Sequence, residues 1–197
     1  MTQSLKTRDQ KRKETQTKIL RVTLDRVSVD GFMGVNTYDI ARDAGVSHGT
    51  VFLHYPTKEK LITSAMMKFA DDVTTRMRKL TNCDMGLKSL LLAHLDVLCE
   101  FEDIYTKFIA ETPHMSEEMR VTLITVQGAI SHTLYVTAKR EIEKGVIKPF
   151  PMDMLFNSWI GLVHHYLLNK ELFAPGRSVI KERGNSLVDH FFEMVKK

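Results

Sequence analysis

The sequence predicts an all-α chain, and three observations carry that expectation. Apolar residues recur at helical spacing in most segments, as in Ile19, Leu20, Thr23, Leu24 and Val27. The segments are separated by glycines, prolines or capping hydroxyls. Strand-like alternation bounded by hairpin signals is absent.

The first helix carries the stripe just named and is expected to stop at Asp30-Gly31, because glycine accepts the left-handed conformation of a C-terminal cap. Thr37 is placed to cap a short helix from Tyr38 to Ala44. Gly45-Val46-Ser47 interrupts, and helical character resumes from His48 to Tyr55. Pro56 and Thr57 break the pattern again, with Thr57 set to cap a long helix from Lys58 toward Leu80. Asn82 to Gly86 reads as a connection before a helix through Leu87, Leu90, Leu91, Leu95 and Leu98. Phe101 to Thr112 is shorter and ends at Pro113, and Ser116 with Glu117 and Glu118 opens a long helix reaching Gly145. Pro149 and Pro151 precede an apolar helix from Asp153 to Asn169. Pro175-Gly176 separates it from a last helix striped with Ile180, Leu187, Val188, Phe191, Phe192 and Val195. About nine helices are expected, in an N-terminal three-helix domain over 1–60 and a helical domain over 61–197.

With 197 residues, 43% of them apolar, the chain can bury a sizeable core. No apolar run approaches the roughly 20 residues of a membrane span. Met1 to Lys13 is polar and basic, without the apolar centre of a secretory signal. Cys83 and Cys99 form neither a metal-ligand spacing nor a disulfide framework. A cytoplasmic protein with no membrane contact is expected. Residues 1–60 hold eleven Lys/Arg against seven Asp/Glu, whereas the remainder is balanced at seventeen of each. A basic N-terminal segment on a neutral body suits contact with a polyanion.

Within 37–55, two short helices joined by three residues form a helix-turn-helix pattern, whose second helix can enter a major groove. Ala41 and Gly45 are small where the helices meet, and Val46 and Val51 are apolar where the unit must pack. If Val51 and Tyr55 face the core, then His48, Thr50, Phe52, Leu53 and His54 rotate away from it. Such a face makes poor sense against water. Against DNA, imidazoles and a hydroxyl can reach base edges or phosphates, apolar groups can meet thymine methyls, and Gly49 permits close backbone approach. Thr37 and Thr57 cap helices whose free N–H groups can hold a phosphate. Lys58 sits in a first turn, where a nearby phosphate would relieve its conflict with the helix dipole. Lys11, Arg12 and Lys13 could form an arm ahead of the first helix. Lys13 and Ser47 complete the candidate DNA-binding set.

The run from Tyr38 through Ile40-Ala41-Arg42-Asp43-Ala44-Gly45-Val46-Ser47-His48-Gly49-Thr50 to Tyr55-Pro56-Thr57-Lys58 and Leu61 closely resembles the signature of the tetracycline-repressor (TetR) family. The Ile19-Leu20 helix and the Gly31-Phe32 corner fit the same pattern, so the resemblance covers about residues 15–62. It implies DNA-contacting roles for His48, Gly49, Thr50, Phe52, Leu53 and His54, and phosphate contacts for Thr37 and Lys58. Phe52 departs from the family's usual tyrosine and Tyr55 from its usual phenylalanine. Leu53 stands where an aromatic or polar residue is usual.

The resemblance further implies that the helical domain binds a small molecule and that two copies pair through their last two helices. The helix from Asp153 is apolar nearly all round and must be covered on more than one side. A four-helix seam with a second copy does this economically, with Phe156, Ile160, Val163, Leu167, Leu187, Phe191 and Val195 as the expected contacts. Tyr105, Phe108, Met115, Ser131, His132, Tyr135 and Trp159 are the expected effector-binding residues, an apolar lining with a few polar anchors. His164 and His165 point about 100° apart on a helix and do not suit one ion. No metal site, cofactor or catalytic motif is expected. The expected function is therefore a homodimeric regulator, a repressor released from a double-stranded DNA operator by an unknown small-molecule effector. The alternative is an effector-independent architectural or partner-binding DNA protein.

Overall fold

A computed structural model describes residues 7–82 and 84–197, so Cys83 lies outside the described residues. Close contacts divide the chain into two compact units, Met1–Phe69 and Ala70–Lys197. Among the described residues there are ten α-helices, one short 3-10 turn and no β-strand.

The N-terminal unit starts with α1 (Arg8–Gly34). Thr7 and Gln10 form a capping box, each side chain accepting from the other's backbone N–H, at 3.3 and 2.8 Å. This cap starts the helix well before its apolar stripe. Lys11, Arg12 and Lys13 therefore lie exposed on α1 itself and do not form an arm ahead of it. Gly31 adopts φ 76°, ψ 168°, a conformation open essentially only to glycine. It kinks α1 where the sequence suggested an end, and Phe32 and Val35 beyond it are buried. α2 (Thr37–Ala44) packs on α1 and on α3 (His48–His54). α4 (Lys58–Leu80) starts at Thr57, whose hydroxyl accepts from the Lys60 N–H at 3.1 Å. The division between the units falls within α4. Ile19, Val27, Phe32, Ile40, Val51, Leu61 and Met66 form the core here.

The second unit contains the rest of α4, α5 (Leu87–Glu100), α6 (Glu102–Glu111), a 3-10 turn (Thr112–His114) and α7 (Glu117–Glu143). α8 (Met152–Leu168), α9 (Lys170–Phe173) and α10 (Val179–Val195) complete it. The single-turn α9 is an extra helix that the periodicity of the sequence does not reveal. α10 packs on α5 and α8, α6 and α7 each touch α8, and α5 touches α7. Trp159, Phe108 and Phe191 are fully enclosed. The buried Glu102 carboxylate accepts from the Val179 N–H at 2.9 Å and from the Ser178 hydroxyl, tying the start of α6 to that of α10. Among the described residues no helix is long and apolar enough to cross a membrane.

Candidate nucleic-acid interface and buried polar cluster

Asn36, not Thr37, is the N-cap of α2: its side-chain oxygen accepts from the Tyr38 N–H at 2.9 Å. Thr37 is the first helical residue, and its hydroxyl lies 3.0 Å from His48 Nε2. The Tyr38 ring stacks on His48 with centroids 3.7 Å apart and planes within 9°. His48 in turn meets Phe52 edge-on at 4.8 Å. One imidazole thus joins the first turn of α2 to the outer face of α3. His48 holds neighbouring side chains in place as well as presenting itself. Tyr38, 67% exposed, belongs to this outer surface, and sequence reasoning missed it. Its signal was an aromatic residue in the first turn of α2, beside the unit's polar rim.

Ser47 caps α3, accepting from the Thr50 N–H at 3.1 Å, and its hydroxyl also bonds the Thr50 hydroxyl at 2.8 Å. These two hydroxyls satisfy each other. Val51 and Tyr55 are buried as the spacing required, while Phe52 is 36% and Leu53 78% exposed. Gly49 is exposed, and His48, Thr50 and His54 are half-buried. The outward set therefore reads as a connected surface with Leu53 most prominent. Lys58 Nζ donates to the Met33 carbonyl at 3.1 Å, so a backbone oxygen at the end of α1 occupies the cation assigned to phosphate. Lys58 and Lys13 are both exposed.

Charge also fixes the frame behind this surface. Arg26 of α1 bonds Asp43 of α2 through Nε at 2.6 Å, and Arg42 pairs with Asp39 at 2.7 Å. The Arg26 hydrogen bond, helped by Arg42, holds the Asp43 carboxyl below the usual carboxylate range. Gly45 makes the turn at φ 62°, ψ 37°, where its N–H reaches the Ala41 and Arg42 carbonyls. A side chain in this left-handed region costs roughly 1–2 kcal/mol, and a β-branched one more. Gly45→Val is expected to lower the stability of the unit by at least about 1–2 kcal/mol and to weaken DNA binding. Urea melts alongside binding anisotropy check this.

The expected effector residues separate into two groups. Tyr105, Phe108, Met115 and Trp159 are buried. Ser131 is half-buried, whereas His132 and Tyr135 are exposed and cannot line an internal site with them. α7 turns those positions outward because Val126, Ile130 and Leu134 occupy its inward stripe. The hydroxyls of Thr122, Thr125 and Thr133 donate to carbonyls one turn back, at 3.2, 2.9 and 3.0 Å, so they satisfy themselves on the helix. A recess of about 60 Å³ lies between α4 and α7, beside Val73, Met77, Val126 and Ile130, away from the predicted set.

The buried aromatics instead join two histidines that sequence reasoning did not select for this role. Trp159 Nε1–H donates to His94 Nδ1 at 3.0 Å. The Tyr105 hydroxyl lies 2.8 Å from His164 Nε2, with the Gln127 side chain also bonded to it. Burial pushes the Tyr105 hydroxyl up to about 12 and both His94 and His164 down to about 4, with His164 further opposing charge on His94. The available signal was a single histidine inside the leucine-rich α5, between Ala93 and Leu95.

Most of the expected dimer contacts are buried within one protomer. Val163, Leu167, Leu187, Phe191 and Val195 are at most 4% exposed within one protomer, and Ile160 is 8% exposed. They are spent on the packing of α10 against α8 and α5. Phe156 alone is half-buried. The outward apolar residues of these helices are Met154, Leu168 and Met194, with Leu172 of α9 beside them in sequence.

Residues 19–65 match the family model described as bacterial regulatory proteins, tetR family. Over those residues, less than half of its length, the chain is similar to that family. Solved structures share the fold along most of the chain. A transcriptional regulator from Saccharomonospora viridis, crystallised with choline, superposes with a TM-score of 0.81 at 16% identity, covering 94% of this chain and 99% of that one. The regulator FadR of Bacillus subtilis, bound to stearoyl-CoA, gives 0.73 at 16% identity, covering 89% and 97%. The TetR-family regulator PfmR of Thermus thermophilus gives 0.71 at 17% identity, with the same 89% and 97% coverage. At these identities the likeness concerns the all-α fold alone. No curated protein matches the sequence.

Proposed function

We propose that the protein is a homodimeric repressor that binds a near-palindromic operator through α3 and leaves it when a small molecule enters the second unit. The observation that carries this reading is the outer surface of α3, where exposed Phe52 and Leu53 stand beside Gly49, His54 and the Tyr38–His48 stack. A helix without an acidic residue, presenting imidazoles and apolar groups together, is suited to base edges and thymine methyls. The exposed Lys11, Arg12 and Lys13 on α1 add salt-sensitive attraction to phosphates. Pairing of two copies across the outer faces of α8 and α10 would cover Met154, Leu168 and Met194 and set the spacing of the two reading heads. Release requires an effector that favours a dimer with a different spacing, since only differential affinity shifts such an equilibrium. The ligands named for the two regulators above support a small-molecule role for the second unit, and the buried Tyr105, Phe108 and Trp159 are its lining in this proposal.

Fluorescence anisotropy with the DNA upstream of the protein's own reading frame tests the reading. A preference over random DNA at physiological salt is expected, and none would sink it. Changing His48, Thr50 and His54 together to alanine is expected to weaken specific binding by at least about tenfold, given 1–3 kcal/mol for a good base contact. Undiminished specific binding by that variant would remove α3 from the role of reader.

A further inference from the structure

The polar pair at the centre of the second unit has a defined hydrogen-bond direction. An indole nitrogen can only donate, so His94 Nδ1, 3.0 Å from Trp159 Nε1, accepts and carries no proton. Burial holds the imidazole neutral near pH 7, which leaves its one proton on Nε2. His94 is 2% exposed, and its Nε2 has no hydrogen-bond partner. The core thus contains an enclosed N–H donor, fixed in its tautomer, that lacks an acceptor. Buried donors are normally paired, and an unpaired one favours any molecule that supplies the missing oxygen.

The surroundings narrow what that molecule can be. Trp159 lies between His94 and Phe191, at centroid distances of 6.2 and 5.2 Å. Tyr105 is already engaged by His164 and Gln127. Among the described residues the unit buries no lysine or arginine, and its buried carboxylate, Glu102, is occupied by Ser178 and Val179. A ligand carboxylate would be desolvated there without a counter-charge, and a cation would meet the positive end of an N–H bond. A neutral acceptor avoids both costs.

We propose that His94 Nε2–H is the anchor for a neutral, mostly apolar ligand carrying one acceptor oxygen, of the ketone, lactone or ester class. This rests on the effector-binding reading above and names the class of effector. Trp159 beside the anchor and Phe191 behind it are fully enclosed, so such a ligand must part the surrounding helices as it enters. That rearrangement gives the bound and free forms the different conformations that release requires.

Trp159 is the sole tryptophan of the chain, so its emission reports directly on the site. Full-length protein is titrated with 2-octanone and δ-octalactone, and in parallel with octanoate and octyltrimethylammonium. The expected result is a saturable change in emission with the neutral probes, at least about tenfold tighter than with either ion. One hydrogen bond at a neutral group corresponds to about tenfold in affinity. His94→Phe, with its fold checked by thermal melting, is therefore expected to weaken 2-octanone by about tenfold while leaving toluene, which has no such oxygen, within about twofold. If that variant does not fold, histidine-labelled wild-type protein replaces it, and the Nε2–H resonance of His94 is expected to shift as 2-octanone is added. Tighter binding of either ion, an unchanged 2-octanone affinity in the folded variant, an unmoved resonance, or no saturable response to the neutral probes would each overturn the proposal. DNA affinity is measured in the same preparations without probe. DNA binding that is released by an ion and not by the neutral probes would retain the repressor reading and remove this one.

Discussion

Replacing Trp159 by alanine is expected to destabilise the second unit by about 3–5 kcal/mol, the range for removing a fully buried aromatic side chain. The indole is completely enclosed, packs on Phe191 at 5.2 Å and supplies the hydrogen bond to His94. Its loss opens a cavity and also leaves His94 with both ring nitrogens unpaired. Trp159→Phe separates the two effects, because it restores most of the apolar volume without the N–H. That variant is expected to recover part of the loss, leaving a deficit of about 1–3 kcal/mol for the unpaired acceptor. Chemical denaturation followed by circular dichroism provides the comparison. Equal stability of Trp159→Ala and wild-type would mean that the indole is not enclosed.

Acidification is expected to remove about 3 kcal/mol of stability through His94 between roughly pH 6.5 and pH 4. The unfolded histidine takes a proton near its ordinary value of 6.5, whereas burial keeps the folded one neutral down to about 4. Across that window the unfolded chain binds more protons, so stability falls as the pH falls and levels off below about 4. Protonation also turns Nδ1 into a donor facing the indole N–H. His164, likewise held down to about 4 by burial, acts in the same direction. Comparing the pH profiles of wild-type and His94→Phe isolates the histidine from the carboxylates that titrate in the same range. A profile unchanged by that substitution would show that His94 exchanges protons freely in the folded state.

The outward face of α3 was largely legible because it depends on local order. Val51 and Tyr55, four apart on a seven-residue helix, determine which neighbours point outward, and the exposures of Phe52 and Leu53 agree. The partners of that surface were less legible. Thr37 looked like a cap because threonine often is one, yet Asn36 takes that place and frees the Thr37 hydroxyl for His48, eleven residues away. Lys58 looked like a phosphate ligand, but the end of α1 brings the Met33 carbonyl to it. Such pairings depend on how helices cross, which spacing along one helix does not encode.

The same distinction governs the second unit. Periodicity identified α8 and α10 as apolar and in need of cover, and both are. Whether the cover comes from the same chain or a second copy depends on which helix lies against which face. Packing of α10 on α5 and of α8 on α6, α7 and α10 leaves Phe191 and Val163 in the interior of one protomer, and Met154 and Leu168 outside. The sequence by itself determined the all-helical class, the order of the main helices and the outward face of α3, because helical periodicity and turn chemistry are local. Only the tertiary structure decided that His94 meets Trp159 and that His164 meets Tyr105, at separations of 65 and 59 residues. Their hydrogen bonds depend on how separate helices pack, and their reluctance to take up a proton arises from burial between them. That property belongs to the packed core and to no single segment of it.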